Sequence, residues 1–483
     1  MALTVSAPGK LLLAGGYLVL ESPNTGVVIG VDKRFYCTID CRRTEETTSS
    51  SAVVAILVKS PQFNQEWTYH WDRATMSLTQ IGEGTSENPF CEKTLRLSLL
   101  CLLSKDDNSN QNNDNISDIE LIIKGDNDFY SLVPHLKELN LPLNLDGALQ
   151  LPAFLPAAQD DNGKILKTGL GSSACLVTSL VAALVHALQT DRSSNDEETT
   201  LGVIFRLAQI CHCHAQGKVG SGFDVASACF GSHIYQRFPK ETIDDLLVQL
   251  DDSSLSPPIV QKELRTKVFD TDWEGGLQAP LLLPPFLQVM LADVSGGSES
   301  PSMARNVLSW KKTATSENGS VPHWDDLATL NPQVGLLWQD LNLHSAPTPQ
   351  EVEALASARA DEWNMDTPLG QTLHKLHKTL QETRAQLKEM GEKAKVPIEP
   401  NEQSSLADAT LQIPGVVAAL VPGAGGYDAL ACIYINTETV RNNIAKLWSQ
   451  WSSSEHDGNN NISSVCPLTV QGISFGEGVR LEP

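Results

Sequence analysis

A glycine-punctuated run, Lys167-Thr168-Gly169-Leu170-Gly171-Ser172-Ser173-Ala174, opens without a break into sixteen uncharged, mostly apolar residues ending at Thr190. The glycines permit an irregular turn, and the apolar stretch reads as a long buried helix at the centre of a mixed α and β structure. At that junction the unpaired backbone N–H groups and the positive end of the helix dipole point the same way, which suits a phosphate. Ser172 and Ser173 can add hydrogen bonds or a magnesium ligand. A serine-capped turn with no ligand accounts for the same letters. The rest of the chain has to decide between them.

With 483 residues, the chain is too long for one ordinary core, so two domains are expected. Its net charge of −23 argues against a general nucleic-acid binder or a binder of acidic membranes. A few well-placed Lys and Arg can still reverse the field locally for a phosphate ligand. Ten cysteines are scattered without a framework and read as reduced thiols of a cytoplasmic protein. Cys211-His212-Cys213-His214 resembles a metal site, but residues two apart on a helix point away from each other, which disfavours zinc. The uncharged stretch from Thr168 to Thr190 is long enough to span a bilayer. Its Thr, Gly and Ser content, with His186, fits a buried soluble helix better.

Short apolar runs between polar turns predict strands at Leu3–Ala7, Leu11–Ala14, Val27–Val31, Tyr36–Asp40, Val53–Lys59 and Ile119–Ile123. Helices are expected from Ser172 to about Gln189 and from about Glu198 to Gln216, followed by a glycine-rich loop, Gly217–Gly222. This first domain is expected over residues 1–240. A polar, proline-rich connection covers 241–285. A second domain, 286–483, opens with a strand Phe286–Asp293, a turn Ser295–Ser298 and a helix capped by Ser300 with Pro301 in its first turn. Further on, a striped helix from Leu369 to Met390 should stop at Gly391. Strands are expected near Val416–Val421, Ala429–Ile435 and Leu468–Ile473.

Five glycine-rich sites call for one explanation: Ala7-Pro8-Gly9-Lys10, Gly169–Ala174, Gly217–Asp224, Ser295–Ser300 and Pro422-Gly423-Ala424-Gly425-Gly426-Tyr427-Asp428. Together they suggest loops converging on a polyanion. No G-x-x-x-x-G-K-[S/T] is present, and no G-x-G-x-x-G follows a strand, so neither a P-loop nor a dinucleotide fold is indicated.

Ala-Pro-Gly-Lys, Gly-Leu-Gly-Ser-Ser-Ala and Pro-Gly-Ala-Gly-Gly, in this order over nearly the whole chain, resemble the three signatures of the GHMP kinases. Ser6–Leu20, Ser60–Phe63, Gly217–Ala226, Asp293–Met303, Val396–Pro400 and Pro422–Ala429 narrow the resemblance to phosphomevalonate kinases of the fungal type. The resemblance implies an α+β two-domain GHMP kinase fold, with an N-terminal ribosomal-protein-S5-like domain and a C-terminal ferredoxin-like α/β sandwich. It implies transfer of the ATP γ-phosphoryl group to 5-phosphomevalonate, in isoprenoid and sterol biosynthesis. By the same resemblance Lys167–Ala174 wraps the ATP phosphates, with Gly423, Ala424, Gly425 and Gly426 stabilising the nucleotide from the second domain. Ser172 or Ser173 would contact Mg2+, Lys10 would reach the transferring phosphoryl group, and Asp224 is the catalytic aspartate. In mevalonate kinase an acidic residue usually stands where this chain has Gly16, and a second acidic metal ligand falls near Cys213 or His214.

The acceptor would itself be a phosphate monoester with a second pKa of about 6, mostly ionised at neutral pH. Its proton is therefore not the main obstacle. Bringing two polyanions into line is, so positioning and charge neutralisation should dominate over proton removal by Asp224. For the acceptor, Lys218 is the first candidate, with Ser221, Gly222, Ser298, Ser300, Arg305 and Tyr17 beside it; Arg34 is a further cation to consider. The expected partner is a small molecule, with no nucleic acid, membrane or obligate protein partner. Mevalonate kinase, diphosphomevalonate decarboxylase and a catalytically dead sensor share the scaffold, and substrate turnover separates them.

Overall fold

Two sheets organise the chain in a computed structural model that describes residues 2–43, 52–82, 87–103, 115–160, 162–188, 197–294, 300–344, 346–451 and 464–483. The strands are β1 (Leu3–Ala14), β2 (Thr25–Arg43), β3 (Val53–Ser60), β4 (Gln65–Asp72), β5 (Ser77–Ile81), β6 (Ile116–Gly125) and β7 (His233–Gln236). They continue as β8 (Gly276–Pro280), β9 (Leu287–Val294), β10 (Val416–Leu420), β11 (Ala429–Ile435), β12 (Val465–Pro467), β13 (Gly472–Ile473) and β14 (Arg480–Leu481). The larger sheet runs β14-β1-β2-β6-β3-β4-β5, and β7, β8 and β13 join it through β2. All its pairings are antiparallel except β3 with β6. The runs expected as separate strands before and after Gly9, and before and after Asp32, are single long strands, β1 and β2. A break in register between Pro8 and Lys10 absorbs the proline, which cannot donate to the ladder.

Ser172–Leu188 is a helix laid across β1 and β2, with the Pro89–Leu102 and Glu197–Gln216 helices beside it. It is covered on nearly every side, which is why its sequence lacks a polar face.

The smaller sheet is antiparallel in the order β10-β11-β9-β12. Helices separate β9 from β10, a glycine loop joins β10 to β11, and the Glu438–Ser449 helix separates β11 from β12. That connectivity and order is the ferredoxin-like βαββαβ arrangement. Tyr17 and Leu18, from the turn after β1, share a small apolar cluster with Met303, Val307, Trp324, Met390 and Ile398, so the first turn of the chain is embedded against the second sheet's helices.

Three expectations need correction. Residues 241–285 are no bare connection: they hold helices Asp244–Asp251 and Pro257–Arg265, and β8 pairs with β7. Two of the five prolines that suggested a linker, Pro257 and Pro258, stand in a helix's first turn, where a missing N–H costs nothing. Gly391 lies inside the Pro368–Ala394 helix, which ends with Lys395 in a left-handed conformation. A Cβ at Gly391 would come within 2.7 Å of Val396 O, so close backbone packing selects the glycine there. The last residues, assigned to the second domain by sequence, return as β13 and β14 to the first sheet. The turn Ser295–Ser298 lies outside the described residues, and the following helix starts at Ser300.

Candidate active site

Lys10 stands on β1 immediately after the register break. Its N–H donates to Leu170 O at 3.0 Å, pinning the strand to the glycine run. Its Nζ donates to Gly169 O at 2.6 Å and lies 5.5 Å from the centre of the Phe223 ring. Gly171 has φ +83°, and a Cβ there would lie 3.3 Å from Lys10 Cε and 3.8 Å from Asp224 Cβ. Only glycine lets the ammonium, the carboxylate and the helix start crowd together in this way. Burial lowers the Lys10 pKa, and the Asp224 charge works against that fall.

The helix that begins at Ser172 has its first backbone bond within reach of the turn when Cys175 N–H donates to Gly171 O at 3.1 Å. The N–H groups before it have no partner inside the helix. Asp224 sits in the first turn of the Phe223–Phe230 helix, whose N-cap Gly222 has φ +86°.

These groups line a cleft of about 740 Å³. Lys10, Lys167, Lys218, Arg237 and Arg305 reach its wall, and among the described lining residues Asp224 is the one carboxylate. Ser172, Ser173, Ser221, Gly423 and Ala424 complete the side facing the two glycine loops. A second pocket of about 240 Å³ opens beside it and shares Lys167, Ser172 and Ser173. Its walls are largely aromatic and apolar, from Phe35, Phe63, Trp67, Phe90, Tyr130 and Leu176, with Ser60 and Gln62 among them.

Several expected site residues act from behind this surface. Thr168 is buried and spends its hydroxyl on Asp128 O. Leu170 and Ala174 put their side chains in the core, leaving only backbone for a ligand. Gly222 is buried under Tyr235, Phe238 and Gln209, and Gln209 Nε2 donates to its carbonyl at 2.7 Å. The N–H groups of Gly423, Gly425 and Gly426 go to Leu12 O, Pro422 O and Ile398 O at 3.2, 3.1 and 2.9 Å. That loop borders the cleft with those amides already committed. Tyr17 lines the cleft at φ +66°, but its hydroxyl donates to Ala424 O, so it ties the first turn to the second glycine loop. A Cβ on the adjacent Gly16 would meet Gly423 O at 2.6 Å, which leaves no room for an acidic side chain.

Arg34 is a structural residue. It is 2 % exposed and donates to Ser6, Glu477 O and Gly478 O, so it anchors the returning C-terminus away from the cleft. Ser298 lies outside the described residues, and of Ser300 only its place at the helix start is described.

The cleft wall also carries His212, Gln216, Phe223 and Arg237, which the motifs do not mark as site residues. Arg237 holds Leu20 O and, at 2.8 Å, Val219 O, so it fastens the Lys218 loop to the first turn. Its signal was faint, a single Arg after a four-residue strand. His212 lay within the Cys-His-Cys-His run, and the helix separates its members. His212 Nε2 meets Ser173 Oγ at 3.1 Å and Gln216 Nε2 at 3.2 Å, whereas His214 Nε2 meets Asp251 at 2.9 Å. Burial lowers the His212 pKa against the pull of Asp224, keeping the ring neutral near pH 7.

The GHMP kinases N terminal domain family model matches residues 160–232. The phosphomevalonate kinase, peroxisomal, of Arabidopsis thaliana is 32% identical over 482 residues, covering 94% of this chain and 93% of that protein. The phosphomevalonate kinase of Gibberella zeae is 32% identical over 502 residues, covering 99% of this chain and 96% of its own length. The solved structure of Streptococcus pneumoniae phosphomevalonate kinase in complex with phosphomevalonate and AMPPNP matches with a TM-score of 0.51 at 17% identity. It covers 92% of this chain and 97% of that one, a likeness of fold.

Proposed function

The chain belongs to the phosphomevalonate kinases, within the GHMP kinase superfamily, and on that premise we propose how its cleft transfers the γ-phosphoryl group of ATP to 5-phosphomevalonate. The observation that carries the assignment of roles is the charge of the cleft. Five cationic side chains face one carboxylate there, in a chain of net charge −23. Two polyanions repel each other on approach, and a cleft lined with positive charge lowers that barrier most where the charges are closest.

The triphosphate lies along the backbone of Gly169, Leu170 and Gly171 and the N–H groups at the start of the Ser172 helix. The adenine fits the aromatic side pocket, which opens from the same Lys167, Ser172 and Ser173. Lys10, fixed by Gly169 O, sits where the transferring group passes between the two substrates. Lys218, Arg305 and Ser221 hold the acceptor phosphate on the opposite wall, and Arg237 keeps the Lys218 loop in place. An oxygen of the acceptor phosphate attacks the γ-phosphorus, the bond to the β,γ-bridging oxygen breaks, and ADP leaves with 5-diphosphomevalonate as product. Since the acceptor is mostly ionised at pH 7, Asp224 serves chiefly to keep Lys10 charged and the helix start oriented.

The hydroxyls of Ser172 and Ser173, with the Asp224 carboxylate across from them, are the hard oxygen donors that Mg2+ takes. When bound there with ATP, Mg2+ supplies neutralisation of the β- and γ-phosphate charge. Ten free cysteines, nine of them buried, suit a reducing compartment, and we assign the chain to the cytoplasm. Imaging of the tagged full chain checks this against the peroxisomal naming of the Arabidopsis relative.

Supplying the protein with ATP and, in turn, mevalonate, 5-phosphomevalonate and 5-diphosphomevalonate tests the activity. ADP should form with the 5-phosphate alone. Turnover of mevalonate without turnover of its 5-phosphate would sink the reading.

A further inference from the structure

His212 is 2 % exposed, lies on the cleft wall, and places one ring nitrogen, Nε2, against both Ser173 Oγ and Gln216 Nε2. An amide nitrogen can only donate, so the Gln216 contact makes His212 Nε2 an acceptor and puts the ring proton on Nδ1. A hydroxyl has one proton and two lone pairs. With no proton of its own, Nε2 offers one lone pair, which the Gln216 N–H and the Ser173 O–H share, so Ser173 points its proton at that nitrogen. Its oxygen then offers the cleft only lone pairs. Such an oxygen suits a cation and repels a phosphate oxygen. Among the described residues no such partner fixes Ser172, whose hydroxyl keeps a proton for phosphate.

We propose that His212 is a positioning residue that turns the Ser173 hydroxyl into a lone-pair donor for the divalent cation accompanying the nucleotide, with Gln216 locking the required tautomer. This rests on the kinase reading above and separates the two serines that the sequence leaves equivalent. It also supplies a reason for a buried histidine near the end of the Glu197–Gln216 helix, facing the start of the Ser172–Leu188 helix. An imidazole that takes a ligand's proton raises the electron density on the ligand and fixes its direction, as outer partners of metal ligands generally do.

The test is the affinity for Mn2+, read by electron paramagnetic resonance, in the full chain saturated with a non-hydrolysable ATP analogue. Four variants are compared with the parent: Ser173→Ala, His212→Leu, His212→Gln and Gln216→Leu. Ser173→Ala and His212→Leu should each weaken Mn2+ binding by roughly tenfold or more. His212→Gln should restore most of the loss, because its side-chain oxygen can stand where Nε2 stood. Gln216 is exposed, so Gln216→Leu cannot act by unfolding the core, and it should weaken Mn2+ by freeing the tautomer. The double variant Ser173→Ala/His212→Leu should be no worse than Ser173→Ala. If Ser173→Ala weakens Mn2+ binding but His212→Leu and Gln216→Leu do not, the positioning role is wrong and the cation reading stands. If Ser173→Ala itself binds Mn2+ like the parent, Ser173 is no ligand and both fall.

Discussion

At the scale of single residues, Lys10 and Asp224 are separated by the thickness of Gly171, and the ammonium is also held by Gly169 O and the Phe223 face. Burial works to strip the Lys10 proton, and the Asp224 charge works to keep it. Removing the ammonium with Lys10→Met should therefore lower kcat by about 10²–10³, the usual loss when one donor to developing charge is deleted. Asp224→Asn tests what the carboxylate does. It removes the larger of the two charges that oppose the burial of Lys10, so the Lys10 pKa falls further and activity is lost at a lower alkaline pH than in the parent. The acid limb belongs to the acceptor phosphate, near pH 6, and should stay in place. A profile of kcat/KM against pH reads both limbs. Disappearance of the acid limb in Asp224→Asn would restore a general-base role for this residue.

At the scale of elements, the second glycine loop is rigid because of what lies under it. Gly426 N–H donates to Ile398 O at 2.9 Å, and a Cβ on Gly425 would fall 2.1 Å from the same oxygen. The neighbouring Glu399 is buried and receives Arg384 Nε at 2.9 Å on both oxygens and Ser404 Oγ at 2.7 Å. Glu399→Gln would leave a buried guanidinium with Asp408 as its remaining carboxylate partner. That should cost about 3 kcal/mol of stability, measurable by urea unfolding, and raise the KM for ATP as the loop loosens. This support was visible in the sequence only as the segment Val396–Pro400, with no hint of its partner on the long helix. The glycine loops themselves were legible, because positive φ and close approach leave few residues but glycine. So was the Ser172 helix, whose lack of charge reflects neighbours on all sides. The helices of 241–285 were not legible, since proline marks a helix start as readily as a linker. Nor was the division of labour along Cys211–His214, which depends on what each turn of the helix meets in three dimensions.

Across the whole molecule, the fate of Arg34 shows what local pattern cannot carry: two of its acceptors, the carbonyls of Glu477 and Gly478, lie at the far end of the chain. The join between the two sheets is similarly long-range, and it is acidic. Asp128 takes the Thr469 N–H at 2.9 Å, and Asp293 on β9 takes Ser131 Oγ at 2.6 Å, while Asp126 holds the Arg34 N–H at 2.7 Å on β2. Burial raises Asp126 and Asp293 to about 6 and moves Asp128 in the same direction. Asp428 and Asp128 add to the rise at Asp293, against the Ser131 hydrogen bond. Between about pH 4 and 6, Asp126 and Asp293 in the folded protein hold protons that the unfolded chain, with pKa near 3.9, would release. Each therefore burdens the folded state above pH 6 and ceases to do so as pH falls toward 4. Buried His212, His214 and His233 and half-buried His377 have lowered pKa values and pull stability the other way below about pH 6.5. The parent's own pH curve mixes both effects, so the comparison has to be with Asp293→Asn. That variant, which keeps a hydrogen-bonding side chain but no charge, should be the more stable at pH 7. The gap should narrow by about 1–2 kcal/mol by pH 5, as the parent's Asp293 takes up its proton. Urea unfolding of both proteins at the two pH values measures it, and a gap independent of pH would mean that Asp293 is not the strained carboxyl of this join.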